Sequence, residues 1–471
     1  MILGLRPVRF HSKAPPGPRG YPLVGVFPTA RKDPLRFFLE SARRYGDVVS
    51  MRFGVRRVYL LSHPDHVKHV LQDNHGAYCK SPPASRVRPL FGDSLTTVDG
   101  DRWRRQRQLM RPAFQPRRLT ASVPIVTEAT AAMLDRWQRI AERNEPLDLL
   151  SEMTDLTRAI ILRVLFGDVA AAEARTVAQA LGIALEYANR RLWSPLGWLD
   201  VLTRGNRRLR RALRALDAFL SGTIDQARRE GASPGTLFSW LLEVRDADSG
   251  ERMSDAELHD ELKALLVAGQ TTTASALAWV WYVLSENPGA GQELQRELRA
   301  VLDGRSPGAE DVSALQYTRM LIEEVLRLYP PTWVTARMPL DGDEIGGYRI
   351  AANAIVLLSP FVTHRHPGFW DDPDRFDPER FTPERSADRP RFAYFPFGGG
   401  PRSCIGSGFA LVEMQLVVAM VAQRYHFTLV PGSRVDLDPG LTLRPRPGVP
   451  AILHRNAPSH RNVGDRVGGG R

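Results

Sequence analysis

Apolar residues fall at helical spacing over most of the chain and alternate only in short stretches. PLRFFLESARRY, from Pro34 to Tyr45, predicts a short amphipathic helix. VVSMRFG and RRVYLLS predict a hairpin about Gly54, followed by a helix from Pro64 to about Leu71. Lys80 to Gly100 is rich in turn formers, and DRWRRQRQLMRPAFQPRR (Asp101 to Arg118) begins with a helical face. From about Val123 to Arg229 several helices are predicted, broken at Asn144-Glu145-Pro146, Gly167, Ser194-Pro195 and Gly205. The longest helical pattern opens on Ser254-x-x-Glu257, a capping box, and stops at Asn287-Pro288. That is about thirty residues, or roughly 45 Å. A further helix ends in EEVLRLYPP, and PPTWVTARMPL leads into a strand. EIGGYRIAANAIVLLSP predicts a hairpin at Gly346-Gly347. FALVEMQLVVAMVAQRY is the last helix, with YHFTLV and LTLRPRP as a terminal strand pair. The fold class is mainly α with small β-sheets, an α+β arrangement.

Composition narrows the picture. With 43% hydrophobic residues in 471, the chain can bury one large core. We expect a proline-rich arm over 1–20, one domain over 21–457, and a disordered tail over 458–471, where apolar residues are few. Cys79 and Cys404 are far apart in unlike contexts, which argues against a disulfide scaffold and for a reducing compartment, the cytoplasm. The first thirty-two residues hold no acid and several basic residues, a composition compatible with a targeting peptide, but their apolar run is too short for a transmembrane anchor. A soluble monomer is expected. The net charge of +12 suits nucleic acid, an anionic membrane or an acidic protein. No zinc-finger, RNA-recognition or helix-turn-helix signature accompanies it, so nucleic acid is disfavoured and an acidic redox partner favoured.

The chemistry centres on FGGGPRSCIGSG, Phe397 to Gly408. Glycines at 398, 399 and 400 permit backbone angles closed to other residues. The N–H groups around Ile405 and Gly406, at the start of a helix, can stabilise negative charge on the Cys404 sulfur. A lone cysteine is more often a small buried hydrophobe. A single thiolate on a rigid loop, without a second Cys or His, suits an axial bond to haem iron. Phe397, Gly400, Arg402, Cys404 and Gly406 stand at the spacing F-x-x-G-x-R-x-C-x-G, which resembles the haem-binding signature of the cytochrome P-450 family.

That resemblance implies a long central helix over haem b and a cysteine loop beneath it. It implies Cys404 as the iron ligand, Phe397 shielding the sulfur and Arg402 pairing with a haem propionate. Trp103 and Arg107, spaced W-x-x-x-R, and Arg337 match other propionate-binding positions. Ala268, Gly269 and Thr272 match the oxygen-binding helix, where Thr271 replaces the usual acid and Gln270 is uncharged. Proton delivery through Thr271–Thr273 hydroxyls, water or a substrate hydroxyl is then expected, the alternative being a carboxylate from elsewhere in the chain. Glu324 and Arg327 match the family's E-x-x-R pair, with Arg380 as third member, all three structural. Phe91, Leu95, Ala264, Ala268, Thr332, Trp333, Val334 and Leu441 are candidate pocket residues, and Trp193 and Trp198 candidate lid residues.

The implied function is a monooxygenase placing one atom of O2 in a lipophilic small molecule, by hydroxylation or epoxidation. Electrons come from a separate ferredoxin or flavodoxin with its reductase, docked on Arg104, Arg105 and Arg111. A peroxygenase and a non-catalytic haem-binding sensor are the alternatives within the family. An arginine-rich nucleic-acid binder is the alternative outside it.

Overall fold

The computed structural model describes residues 14–81, 87–192, 204–246 and 249–456. Its longer helices are α1 (Pro34–Tyr45), α2 (Gly100–Met110), α3 (Val123–Glu142), α4 (Leu149–Phe166), α5 (Ala171–Leu192), α6 (Arg204–Glu230), α7 (Asp255–Glu286), α8 (Pro288–Leu302), α9 (Gln316–Leu328) and α10 (Ser407–Arg424). α7 is 32 residues long, about 48 Å. Its capping box forms as the spacing predicts: Ser254 Oγ accepts from the Glu257 N–H, and the Glu257 carboxylate accepts from the Ser254 N–H. It ends where Pro288, which has no N–H to continue the ladder, opens α8. α3 stops before Asn144, and α4 stops at Gly167. Gly205, expected as a break, instead lies in the first turn of α6, where few intrahelical bonds depend on it. Ser194-Pro195, Trp193 and Trp198 lie outside the described residues. So do 1–13 of the arm and the tail over 457–471.

The strands are β1 (Val48–Phe53), β2 (Arg56–Leu61), β3 (Tyr78–Lys80), β4 (Leu147–Asp148), β5 (Thr335–Pro339), β6 (Asp343–Ile345), β7 (Tyr348–Ile350), β8 (Ile355–Leu358), β9 (Tyr425–Leu429), β10 (Asp436–Pro439), β11 (Leu443–Arg446) and β12 (Pro450–Arg455). One sheet has the order β1-β2-β8-β5-β3, with β2 and β8 parallel. The expected pairing of YHFTLV with LTLRPRP is not made. β11 pairs instead with β10, an antiparallel neighbour reached through a three-residue turn, and β9 pairs with β12 across the longer connection that holds that hairpin. Residues 14–20 are not a free arm: the Ser50 N–H donates to Pro16 O beside β1.

α7 forms the centre of the core. Trp279 and Trp281 are almost fully buried on it, and the Trp279 ring stacks on Tyr329 at 4.3 Å. α4 approaches closely at Gly269, where a Cβ would come within 2.9 Å of Ile161 Cδ1. The helix predicted from Pro64 turns into a wider turn over His69–Asp73, and this carries the Leu71 carbonyl to the cysteine loop.

Candidate active site

The loop preceding α10 is set by its glycines. Gly398 and Gly400 lie in the left-handed region, at φ +70° and +64°. A side chain at Gly400 would also meet Leu71 O at 1.9 Å. Gly399 is extended, so its requirement is space: a Cβ there would strike the Phe392 ring. The Cys404 N–H donates to Phe397 O at 2.9 Å, closing the loop. Cys404 lies deep in the protein, yet its surface is open because it faces an internal cavity. Burial pushes its thiol up, while the Gly406 N–H and Arg107 act in the opposite direction. Cys79 is on β3, its thiol directed to Met338 O, away from this cavity.

A group of cations surrounds one edge of the cavity. Arg402 pairs with Asp99 through Nη2, and its guanidinium lies 4.4 Å over the Trp103 ring. Its Nε and Nη1 are buried with no acceptor among the described residues. Arg337 is deeply buried, and loss of solvent with the nearby Arg402 charge pulls it down to about 10. Burial, aided by Arg402, also pulls Lys80 down to about 7. Lys80 Nζ donates to the carbonyls of Leu95 and Val98, while Glu261 on α7 accepts from the Leu95 N–H. Glu261 is pushed up to about 8 by burial. Sequence reasoning missed Asp99, Lys80 and Glu261. A lysine and two acids around a turn-rich segment carried no spacing that marked them.

Opposite Cys404, α7 presents Ala268, Gly269, Thr272 and Thr273 to the cavity. Thr272 Oγ1 donates to Ala268 O, and Thr271 Oγ1 to Val267 O. Thr271 and Gln270 are not in the lining; Gln270 is buried, with its Oε1 unpartnered among the described residues. The cavity holds about 350 Å³, within the range of small-molecule sites. Phe397, Arg337, Arg402, Gly406 and Thr332 also line it.

Six pocket candidates lie elsewhere. Phe91, Leu95, Ala264 and Leu441 belong to the apolar cluster packed beside the cavity. Trp333 turns away because its indole N–H donates to Gly440 O and its ring packs on Phe38, and Val334 joins the same cluster. Phe114, Ile125, Leu265 and Ile405 take the apolar lining positions instead. Arg107 is half-buried within electrostatic reach of Cys404 but is not itself a lining residue. Arg105, read as a surface cation, is tied to Glu257 at the start of α7.

The loop is held from behind. Glu324 and Arg327 are fully buried and paired through two N–H donations, at 2.6 and 2.8 Å. Arg327 also donates to the carbonyls of His364, Pro373 and Arg375. Arg380 Nε stands 3.5 Å from Glu324. These bonds fix the connection that runs toward the cysteine loop.

The Cytochrome P450 family model matches residues 15–450. The chain belongs to the cytochrome P450 family. It is similar to cyclooctatin synthase of Streptomyces melanosporofaciens, 36% identical over 94% of this chain and 96% of that protein. Cyclooctat-9-en-7-ol 5-monooxygenase of the same organism is 36% identical, over 90% of this chain and 93% of its own length. The cytochrome P450DA heme domain superposes with a TM-score of 0.84 at 24% identity, covering 95% of this chain and 99% of that one, which shows the fold. This P450 is a haem-thiolate monooxygenase: it inserts one atom of O2 into a lipophilic small molecule, with electrons from a redox partner. The residues present fit a dianionic haem, since buried cations with unused donors flank a cavity onto which one thiol opens. Among the described residues, no helix is long and apolar enough to cross a membrane.

Proposed function

We propose that this P450 oxidises a bulky cyclic terpenoid, with Cys404 as the axial ligand of its haem. The observation that carries the proposal is the mainly apolar chamber between Cys404 and Thr272, in a chain similar to an oxygenase named for a cyclic alkenyl alcohol. When bound, the haem supplies the electron-rich iron centre that activates O2. Arg402, Arg337, Arg107 and Trp103 would hold its propionates and offset the charge that burial would otherwise penalise. The small residues Ala268 and Gly269 leave room in the cavity on the α7 side, and the apolar lining would exclude bulk water. Thr272 Oγ1 orients a water for proton relay. The bond to Ala268 O occupies its hydrogen but leaves its lone pairs free to accept from water. Thr271 and Gln270 carry no acid, so water or a substrate hydroxyl relays the proton.

Electrons come from an acidic ferredoxin or flavodoxin with its reductase, meeting the exposed Arg104 and Arg111. We place the protein in the cytoplasm as a monomer. The test is a spectral-shift titration of the ferric holoprotein with cyclic terpenoids, linear fatty acids and macrolides. A Soret shift on displacing iron-bound water is expected with the terpenoids. Shifts from fatty acids or macrolides alone would reject this substrate class.

A further inference from the structure

We infer that a cleft remote from the cysteine loop, walled by α3, α8, the end of α10 and the paired ends of β9 and β12, binds an organic diphosphate. It holds about 770 Å³, more than the cavity beside Cys404. α10 separates the two: its 18 residues, about 27 Å, run from the cysteine loop to Gln423 and Arg424 at the cleft. The buried side chains of Leu134, Leu298, Met420 and Tyr425 give the cleft an apolar floor. The Tyr425 ring packs edge-on against Trp137 at 6.1 Å, which fixes that part of it. Four arginines, Arg299, Arg305, Arg424 and Arg455, also line the cleft. Among the described residues no aspartate or glutamate does.

The four cations are not equally committed. Arg305 donates through both terminal nitrogens to Asp311, so its charge is already answered. Arg424 meets Asp135 at 3.4 Å and Arg455 meets Glu142 at 3.2 Å. Both arginines are about half exposed, and pairs of that kind are weak enough to yield to a competing anion. Arg299 has no ion-pair partner among the described residues. Three guanidiniums with charge to spare therefore share one space, and only an anion relieves their repulsion. A diphosphate carries several negative charges and offers the paired oxygens that forked guanidinium donors fit. The floor defines the rest of the ligand. Inorganic pyrophosphate would leave Leu298, Met420 and Tyr425 in water, whereas an ester lays its organic group on them. A nucleoside or an isoprenoid chain meets that requirement equally. Three helices and a sheet end bound the cleft, a shape for one small molecule rather than for a strand of nucleic acid.

The experiment is calorimetric titration of the full-length ferric holoprotein with ADP, geranyl diphosphate, inorganic pyrophosphate, adenosine and geraniol. The Soret band is followed in parallel, because a ligand entering the haem cavity moves it and one in the cleft does not. At least one ester is expected to bind without a Soret shift, about tenfold or more tighter than pyrophosphate and than its own uncharged parent. Which ester binds separates a nucleoside from an isoprenoid ligand. Arg299→Gln/Arg455→Gln should weaken that ester about thirtyfold or more, since each change removes charge-assisted hydrogen bonds. Both positions are exposed, so the urea midpoint and the reduced carbon monoxide spectrum of the double variant should match wild type. Esters that bind no tighter than pyrophosphate, or only with a Soret shift, would overturn the inference. So would unchanged affinity in the double variant, or binding of an acidic protein to these arginines with no binding of either ester.

Discussion

Neutralising the buried acid on α9, by Glu324→Gln, should destabilise the whole P450 rather than impair its chemistry. The Glu324 carboxylate receives two donations from Arg327 and one from the Asp377 N–H at 2.9 Å, with Arg380 close by. Both Glu324 and Arg327 are fully buried. Removing one partner of such a pair leaves an uncompensated buried charge and costs about 3–5 kcal/mol. That is a large share of the roughly 5–15 kcal/mol that holds a domain folded. Arg327→Lys keeps the charge but cannot reproduce five N–H donations in one plane, leaving carbonyls of His364, Pro373 or Arg375 without a donor. At about 1–3 kcal/mol for each orphaned group, it should be nearly as damaging. Urea unfolding followed by far-UV circular dichroism and the Soret band gives the stability. The reduced carbon monoxide spectrum reports whether the thiolate bond survives in the folded fraction. Glu324→Gln combined with Arg327→Met should cost at least about 2 kcal/mol less than the sum of the single changes, since no unpaired charge remains between them. A Glu324→Gln protein within about 1 kcal/mol of wild type, or strict additivity of the pair, would refute this reasoning.

Four other outcomes are expected. Cys404→Ser should abolish the thiolate carbon monoxide band and turnover, whereas Cys79→Ser, facing Met338 O, should leave both unchanged. Thr272→Ala should retain haem and substrate binding but divert reducing equivalents to hydrogen peroxide, measured as peroxide formed per NADPH consumed; Thr271→Asp should keep turnover similar or faster. Reversing charge at Arg104 and Arg111 should raise the donor's apparent KM and flatten its salt dependence without changing peroxide-driven turnover. Asp47 is held down to about 2, chiefly by its hydrogen bond from His366, so its contribution is full above about pH 4 and is lost as pH falls toward 2. With that carboxylate more than a third exposed, Asp47→Asn should cost only about 1 kcal/mol at neutral pH and nothing in acid, read from urea midpoints across pH.

Much of the site was legible because its signals are local. The cysteine loop, the Glu324-x-x-Arg327 pair and the Ser254 capping box each lie within a dozen residues. Backbone angle, helix periodicity and side-chain reach act over that span. The pocket was less legible. Ala268 and Thr332 do line the cavity, but Trp333, chosen for its size and place in the chain, packs on Phe38 instead. A strand residue's direction depends on which neighbours its backbone meets, and Trp333 found a carbonyl at Gly440, 107 positions away.

The sequence by itself determined the mainly helical class, the capped ends of the longest helix, the one cysteine on a glycine loop and the family. Each of these follows from residue type at short spacing. Only the tertiary structure decided that β9 pairs with β12, that Glu257 takes Arg105 off the surface, and that Asp99 holds Arg402 from 303 positions away. It also brought Arg299, Arg424 and Arg455 together around one cleft. These are meetings between groups that share no local pattern. What brings them together is the path the chain takes while burying its apolar faces, and burial then sets the charge of groups such as Lys80 and Glu261.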